Sequence, residues 1–255
     1  MFPHDIILPA CPDSQDEGAD KVFMQITGFI DDELEKIYGL PRMHNAQKRE
    51  DLVGTLVVCI APHICTASVG RIIGFSKTQA LLASPYMHAA MRRDCDGDEA
   101  AVMLLTDLLL NFSRKFLPSH RGGTQDAPLV LNICIRAGDV DDQILDFELC
   151  GQYPLELYEA AELGKPSSEV KIDNVKKRLK EGGDPFLNIS FSHGCADINK
   201  TRVNSSYKSL PTMHDKVESQ MRLCGKIRAI DIRDVSRLII ERHFIRDIRG
   251  NLRKF

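Results

Sequence analysis

Apolar side chains recur at helical spacing through residues 20–40. Val22, Phe23, Ile26, Phe29, Ile30, Leu34 and Ile37 fall along one stripe there and predict an amphipathic helix. Ahead of it, a short apolar run, Ile6-Ile7-Leu8, gives way to a Pro/Asp/Gly-rich loop. Residues 52–60 are rich in β-branched residues and almost wholly apolar, the pattern of a buried strand, and residues 69–75 and 79–83 predict two shorter strands divided by Gly74 and a Ser76-Lys77 turn. Over residues 99–117, Val102, Leu105, Leu109, Phe112 and Phe116 share a stripe that Pro118 closes, which predicts a long helix. A strand follows over residues 128–135, entered through the basic, flexible loop Ser119-His120-Arg121-Gly122-Gly123. Beyond it, helices are predicted over residues 154–163, 168–181, 213–230 and 235–243, with a break at Gly182-Gly183-Asp184-Pro185 and a brief strand at 189–191.

These elements predict an α+β chain in three stretches. Residues 1–50 hold a loop and helix, residues 51–138 a β-rich region with one long helix, and residues 139–255 a mainly helical segment. A hydrophobic share of 43% with 27% charged residues is ordinary for a globular chain that buries a core. The net charge of −3 matters less than its distribution. Residues 1–40 carry nine acids against Lys21 and Lys36, whereas residues 216–255 carry eleven Lys and Arg against five acids. A basic end suits a polyanionic partner, or a solvated helix face laced with ion pairs. The eight cysteines form no Cys-x-x-Cys pair and no apolar stretch has spanning length, so reduced thiols, a cytoplasmic location and no membrane are expected. Cys65, two residues after His63, is a weak nucleophile candidate, and the acids around Cys95 would raise its pKa.

The densest chemistry lies at Asp94-Cys95-Asp96-Gly97-Asp98-Glu99, four carboxylates in six residues. In an extended segment, Asp94, Asp96 and Asp98 project to one side, where their mutual repulsion favours a divalent cation. Oxygen donors point to Mg²⁺ or Mn²⁺ rather than zinc. A calcium loop of the EF-hand type fails, because its sixth and twelfth positions would be Glu99 and Leu105 instead of Gly and Glu. Two alternatives stay open: Asp98 and Glu99 capping the following helix, and a solvated acidic turn. In the loop at 119–123, the double glycine would let a ligand approach the backbone and Arg121 would supply charge, although a plain connection fits too.

Several segments carry a resemblance in order and with matching spacing. They include His44-Asn45-Ala46, Asp51-Leu52-Val53-Gly54, Ala61-Pro62-His63, Val69-Gly70-Arg71-Ile72-Ile73-Gly74-Phe75, His88-Ala89-Ala90, Arg92-Arg93, Cys95-Asp96-Gly97-Asp98-Glu99 and Arg121-Gly122-Gly123. Asp126-Ala127-Pro128-Leu129-Val130, Tyr153-Pro154-Leu155-Glu156 and Arg249-Gly250-Asn251-Leu252-Arg253 extend the series. Together they resemble the large subunit of the archaeal family-D DNA polymerases. The resemblance implies a core of two double-psi β-barrels, with the acidic loop in the second. It implies Mg²⁺-dependent nucleotidyl transfer, two ions being expected, with Asp96 and Asp98 as metal ligands and Asp94 beside them. His88, Arg92, Arg93, Arg121, Gly122 and Gly123 become candidates for phosphate or nucleic-acid contacts. Implied partners are primer-template DNA, dNTPs, the remaining large-subunit region and a small 3′–5′ exonuclease subunit.

The chain departs from that pattern at Asp94, where the family usually has Asn, at Ala100, where it has a carboxylate, and at Met91, where it has Lys. Its Ile64-Cys65-Thr66-Ala67 also replaces a smaller polar loop. The family's subunit is several times longer, so the first barrel with its lysines is expected upstream, a zinc module downstream, and residues 1–255 alone are expected not to complete a two-barrel site. Two readings therefore stand: part of a polymerase catalytic subunit, or a degenerate, non-catalytic module that binds nucleic acid or a polymerase partner. A third, an RNA-synthesising two-barrel enzyme, lacks support from the flanking motifs.

Overall fold

The opening apolar run becomes β1 (Asp5–Pro9), whose Ile6 and Leu8 point inward and are buried. Strand β1 runs parallel to β3 (Thr66–Ser76) and antiparallel to β4 (Leu82–Ala83). On the other side of β3 lies β2 (Leu56–Ile60), itself paired antiparallel with β5 (Ala101–Leu104), which gives the order β4-β1-β3-β2-β5. A short strand, β6 (Val130–Leu131), pairs parallel with the start of β3. The structure is a computed structural model that describes residues 1–62, 66–93, 97–105, 140, 142–189, 194, 196–200 and 209–253, with the backbone alone at 130–131. Two compact units result, residues 1–203 and 204–255. The first is a mixed α+β unit with the sheet at its centre.

Both faces of the sheet are covered. On one side, Ile6, Leu8, Val57, Cys59, Ile72 and Leu104 meet Phe23 and Ile30 of the helix α1 (Ala19–Lys36) and Met87 and Met91 of α2 (Pro85–Met91). A smaller cluster on the opposite side joins Val58, Ile60 and Ala67 with Ala101, Met103 and Leu105. Each fully buried aliphatic side chain contributes roughly 1.5–3 kcal/mol, so the first cluster dominates.

Several expectations need correction. Residues 101–104 form β5, not the start of a long helix; residues 106–117 of that helix lie outside the described residues. Strand alternation explains the change: Ala100, Val102 and Leu104 pack toward the main core, while Ala101, Met103 and Leu105 pack toward the smaller cluster. An apolar run can satisfy both periods, and pairing with β2 supplies two buried faces. The predicted strand at 52–60 begins late, because Arg49–Leu52 makes a 3₁₀ turn and Gly54, at φ +97°, turns the chain into β2. Strand β3 continues through Gly74 to Ser76, and β4 spans only Leu82–Ala83. On α1 the buried stripe runs through Phe23, Thr27, Ile30 and Asp31. Phe29 lies roughly 145° around the axis from its centre and is exposed, while Ile37 falls past the helix end and is exposed as well.

Residues 168–181 do not form one helix. A 3₁₀ turn at Ser167–Glu169 is followed by an extended stretch and then a helix over Val175–Lys180. The stretch pairs with residues 147–149: Leu149 N donates to Asp173 O, Val175 N donates to Phe147 O, and Glu148 bridges Asn174. Helices also form at Asp142–Leu145 and Leu155–Glu162, the second as predicted. In the second unit, a helix over Met213–Cys224 starts from a Thr212–Asp215 capping box. After Asp231, a longer helical rod runs through Ile232–Leu238, a π turn at Ile239–Phe244, and Ile245–Leu252. The five-residue step from Ile239 to Phe244 is the step a π turn brings back into line. It joins Ile232, Val235 and Ile239 to Phe244, Ile248 and Leu252 in one apolar stripe. No described helix is long and apolar enough to cross a membrane.

Candidate metal-binding loop and its supports

The acidic loop is approached along α2. Ser84 caps this helix, its Oγ accepting from Met87 N and donating to Pro3 O, with Pro85 pre-set for the first turn. Met87 and Met91 sink into the main core, and Ser68 Oγ of β3 donates to Ala90 O at 3.3 Å, so the last turn is held against the sheet. The helix then stops at Arg92, which adopts a left-handed conformation (φ 57°, ψ 40°). Arg92 N donates to Ala89 O and Arg93 N to His88 O, the pair of bonds that closes a Schellman turn. Glycine normally fills that left-handed position; here an arginine does.

Asp94, Cys95 and Asp96 lie outside the described residues, as do His63, Cys65, Arg121, Gly122 and Gly123. The chain is described again at Gly97, whose φ of +123° is a conformation that L side chains rarely adopt. Asp98 and Glu99 follow, both exposed, and Ala100 leads into β5. Because the next element is a strand, Asp98 caps no helix, and that reading of the carboxylate is withdrawn. One guanidinium spans the gap: Arg93 Nε donates to Glu99 O at 2.9 Å and lies 3.4 Å from Asp98 Oδ2. Thus two of the predicted site residues, Arg93 and Asp98, are brought together, and the far limb of the loop is tied to the end of α2. His88 is half-buried on α2, and burial pushes its imidazole below the usual 6.5, so it is neutral at pH 7. A neutral ring offers a phosphate a hydrogen bond rather than a charge.

The departures at Met91 and Ala100 acquire a structural setting. Met91 is buried in the main core and Ala100 packs against it. Ala67 is buried in the smaller cluster. These side chains therefore serve packing.

Sequence reasoning missed a second anchored loop. Asp31, buried on α1, accepts from Met43 N (2.8 Å), His44 N (2.8 Å) and Asn45 N (2.7 Å), and so fixes the His44-Asn45-Ala46 segment. Burial pushes its carboxyl up, but the three N–H groups, with His44 nearby, outweigh that and hold it below 3.8. The available signal was an acid inside the apolar stripe, beside Ile30 and one turn from Thr27. A similar pair joins Asp5 to Arg71: Phe2 N donates to Asp5 at 2.6 Å and Arg71 Nη2 at 2.6 Å, and the Phe2 bond foremost keeps the carboxyl low. Cys59 is no nucleophile candidate, since burial pushes its thiol up to about 12.

Among the described residues of the loop the side-chain donors are oxygens, the Asp98 carboxylate, 37% exposed, with Glu99 beside it, and no described group of three or more His, Cys, Asp or Glu could hold a metal.

The family described as DNA polymerase II large subunit DP2, catalytic domain, matches residues 3–216. Similar chains include the DNA polymerase II large subunit of Pyrococcus furiosus, 46% identical over 259 residues that cover 100% of this chain and 20% of that one. That of Archaeoglobus fulgidus is 46% identical over 257 residues, covering 100% and 22%. That of Thermoplasma acidophilum is 42% identical over 257 residues, covering 100% and 23%. The chain thus spans about a fifth of the length of the curated relatives it matches.

Proposed function

Since the chain belongs to the family of the DNA polymerase II large subunit catalytic domain, we propose that it supplies the metal-binding part of a DNA-directed DNA polymerase site. The observation that carries this reading is the match over residues 3–216, which spans the acidic loop and both elements that hold it. In this reading the strands within residues 51–138, with β1 added from the preceding stretch, form part of a double-psi β-barrel, and Asp96 and Asp98, with Asp94 adjoining, would hold two Mg²⁺ ions. Mg²⁺ held by these carboxylates would supply the chemistry that lowers the pKa of a primer 3′-hydroxyl and offsets charge on the departing pyrophosphate. Arg92, Arg93 and Arg121 bind phosphate oxygens, His88 donates a hydrogen bond to them, and Gly122-Gly123 lets the backbone approach the nucleic acid. The remaining large-subunit region and a small exonuclease subunit complete the assembly on primer-template DNA with dNTPs.

The rival reading, a non-catalytic module, rests on Met91, Ala100 and the altered Ile64–Ala67 loop. Met91 and Ala100 pack into or against the core, so their apolar character has a packing explanation, while Ile64 and Cys65 lie outside the described residues. Primer extension tests the polymerase reading, with this chain combined with the remaining large-subunit region and the small subunit in Mg²⁺. Extension is expected with the parent chain and lost with Asp96→Asn and Asp98→Asn together. Extension that survives both changes would show that these carboxylates do not carry the metal.

A further inference from the structure

The arginines of the second unit fall into two sets. Arg222, Arg233 and Arg237 each meet an acid within four residues, Glu218, Asp231 and Asp234 in turn. Arg242, Arg246, Arg249 and Arg253 are exposed and have no ion pair among the described residues. On the helix over Ile245–Leu252, steps of three and four residues keep Arg246, Arg249 and Arg253 within about 60° of one another. Arg242 lies four residues before Arg246, across the π turn, and joins the same side. Phe244, Ile248 and Leu252 occupy the far side, about 160–240° around the axis from Arg246. Glu241 and Asp247 adjoin the stripe in sequence, which sets them about 100° off it. Cations in the last turn of a helix suit its dipole, which accounts for Arg249 and Arg253 but not for Arg242 and Arg246 further back. Like charges four residues apart repel, so an unmatched stripe costs the rod stability that a polyanion laid along it would restore. The stripe runs about 16 Å, the length of roughly five phosphates on one strand of a duplex. Guanidinium forks match phosphate oxygens, and a phosphate backbone offers charge all along its length, whereas an acidic peptide would have to repeat its carboxylates at the same interval. We propose that Arg242, Arg246, Arg249 and Arg253 form a site for the backbone of duplex DNA, beyond residues 3–216 of the family match. The site holds charge and reads no sequence, and it needs neither a metal nor the residues around the acidic loop.

Fluorescence anisotropy of a labelled, mixed-sequence duplex, titrated with the full chain across a KCl series without divalent cation, tests this. Changing all four arginines to Gln is expected to lower the slope of log K against log salt by about 3–4, and each single change by about 1. Arg237→Gln removes a charge already matched by Asp234 and should leave the slope unchanged. Gln has a helix propensity close to that of Arg, and a fourfold Arg→Lys variant keeps the charges and should keep the slope, so loss of contact is told apart from loss of fold. An unchanged slope in the fourfold Gln variant would overturn the site. So would an Arg237→Gln effect as large as that of Arg246→Gln, since net charge alone would then set the binding. Polyglutamate of matched charge is expected to compete weakly; displacement of the duplex at equal charge would point to an acidic protein partner and overturn the assignment to DNA. With no divalent cation present, none of these outcomes depends on Asp96 or Asp98.

Discussion

Arg92 occupies a backbone conformation that suits glycine better, at the turn delivering the chain to the acidic loop. The left-handed region costs an ordinary L residue about 1–2 kcal/mol. Arg92→Gly is accordingly expected to raise stability by about 1 kcal/mol in urea denaturation, while, under the proposed function, weakening binding of primer-template DNA by the proposed assembly. A variant that loses stability would show that the arginine side chain supports the turn itself. This tension between local strain and a charged side chain is the kind that marks functional positions, with the strain offset elsewhere in the fold. The acidic run stands out in the sequence because its chemistry is concentrated, and of its carboxylates Asp98 and Glu99 fall among the described residues. Arg93's reach to Glu99 O was not, since it depends on how a left-handed turn redirects the chain, and nothing in the sequence Met91-Arg92-Arg93 announces such a turn.

Among the elements, the pairing of β2 with β3 shows how tightly register is set. Val57 stands opposite Gly70, and a Cβ added at Gly70 would lie 3.0 Å from Cys59 Sγ and 3.3 Å from Val57 Cγ2. Both neighbours are fully buried and have little room to move. Gly70→Ala should therefore destabilise the chain by about 1–3 kcal/mol, measured by denaturant unfolding. Adding Cys59→Ala should recover part of that loss, because the tighter of the two contacts goes; a purely additive double variant would refute the steric account. Helix α1 and strand β3 were readable from periodicity, since each repeats one pattern over many residues. Strand β5 was not: Ala100 to Leu105 is apolar throughout, and only the two packed faces of the sheet decide between a period of two and one of 3.6. The predicted helix at 168–181 failed for a related reason, since the pairing of residues 173–175 with 147–149 joins segments far apart in sequence.

At the scale of the whole molecule, acidification should weaken the fold in two stages. His88 resists protonation when folded, so below pH 6.5 the unfolded chain takes up a proton that the native one refuses, and stability falls. Asp5 and Asp31 are held below 3.8 when folded. Their contribution is complete above that value and is lost as the pH drops through their lower native values. Urea midpoints measured from pH 8 to pH 3 should show both stages, and His88→Gln should remove the His88 contribution to the first while leaving the second. The two units differ in construction as well. The first contains both apolar clusters, whereas among the described residues of the second none is buried. The π turn in its long rod then has a bearing on the lengths of chain this segment can tolerate. The turn absorbs one residue more than a regular helix would place between Ile239 and Phe244. Deleting Ile240 would let an unbroken α-helix form, yet the stripe would keep its continuity, because the interval from Ile239 to the phenylalanine would shrink from five residues to four. Adding a residue there would instead swing everything after it by about 100°, so this stretch of the sequence is tolerant of shortening and intolerant of growth.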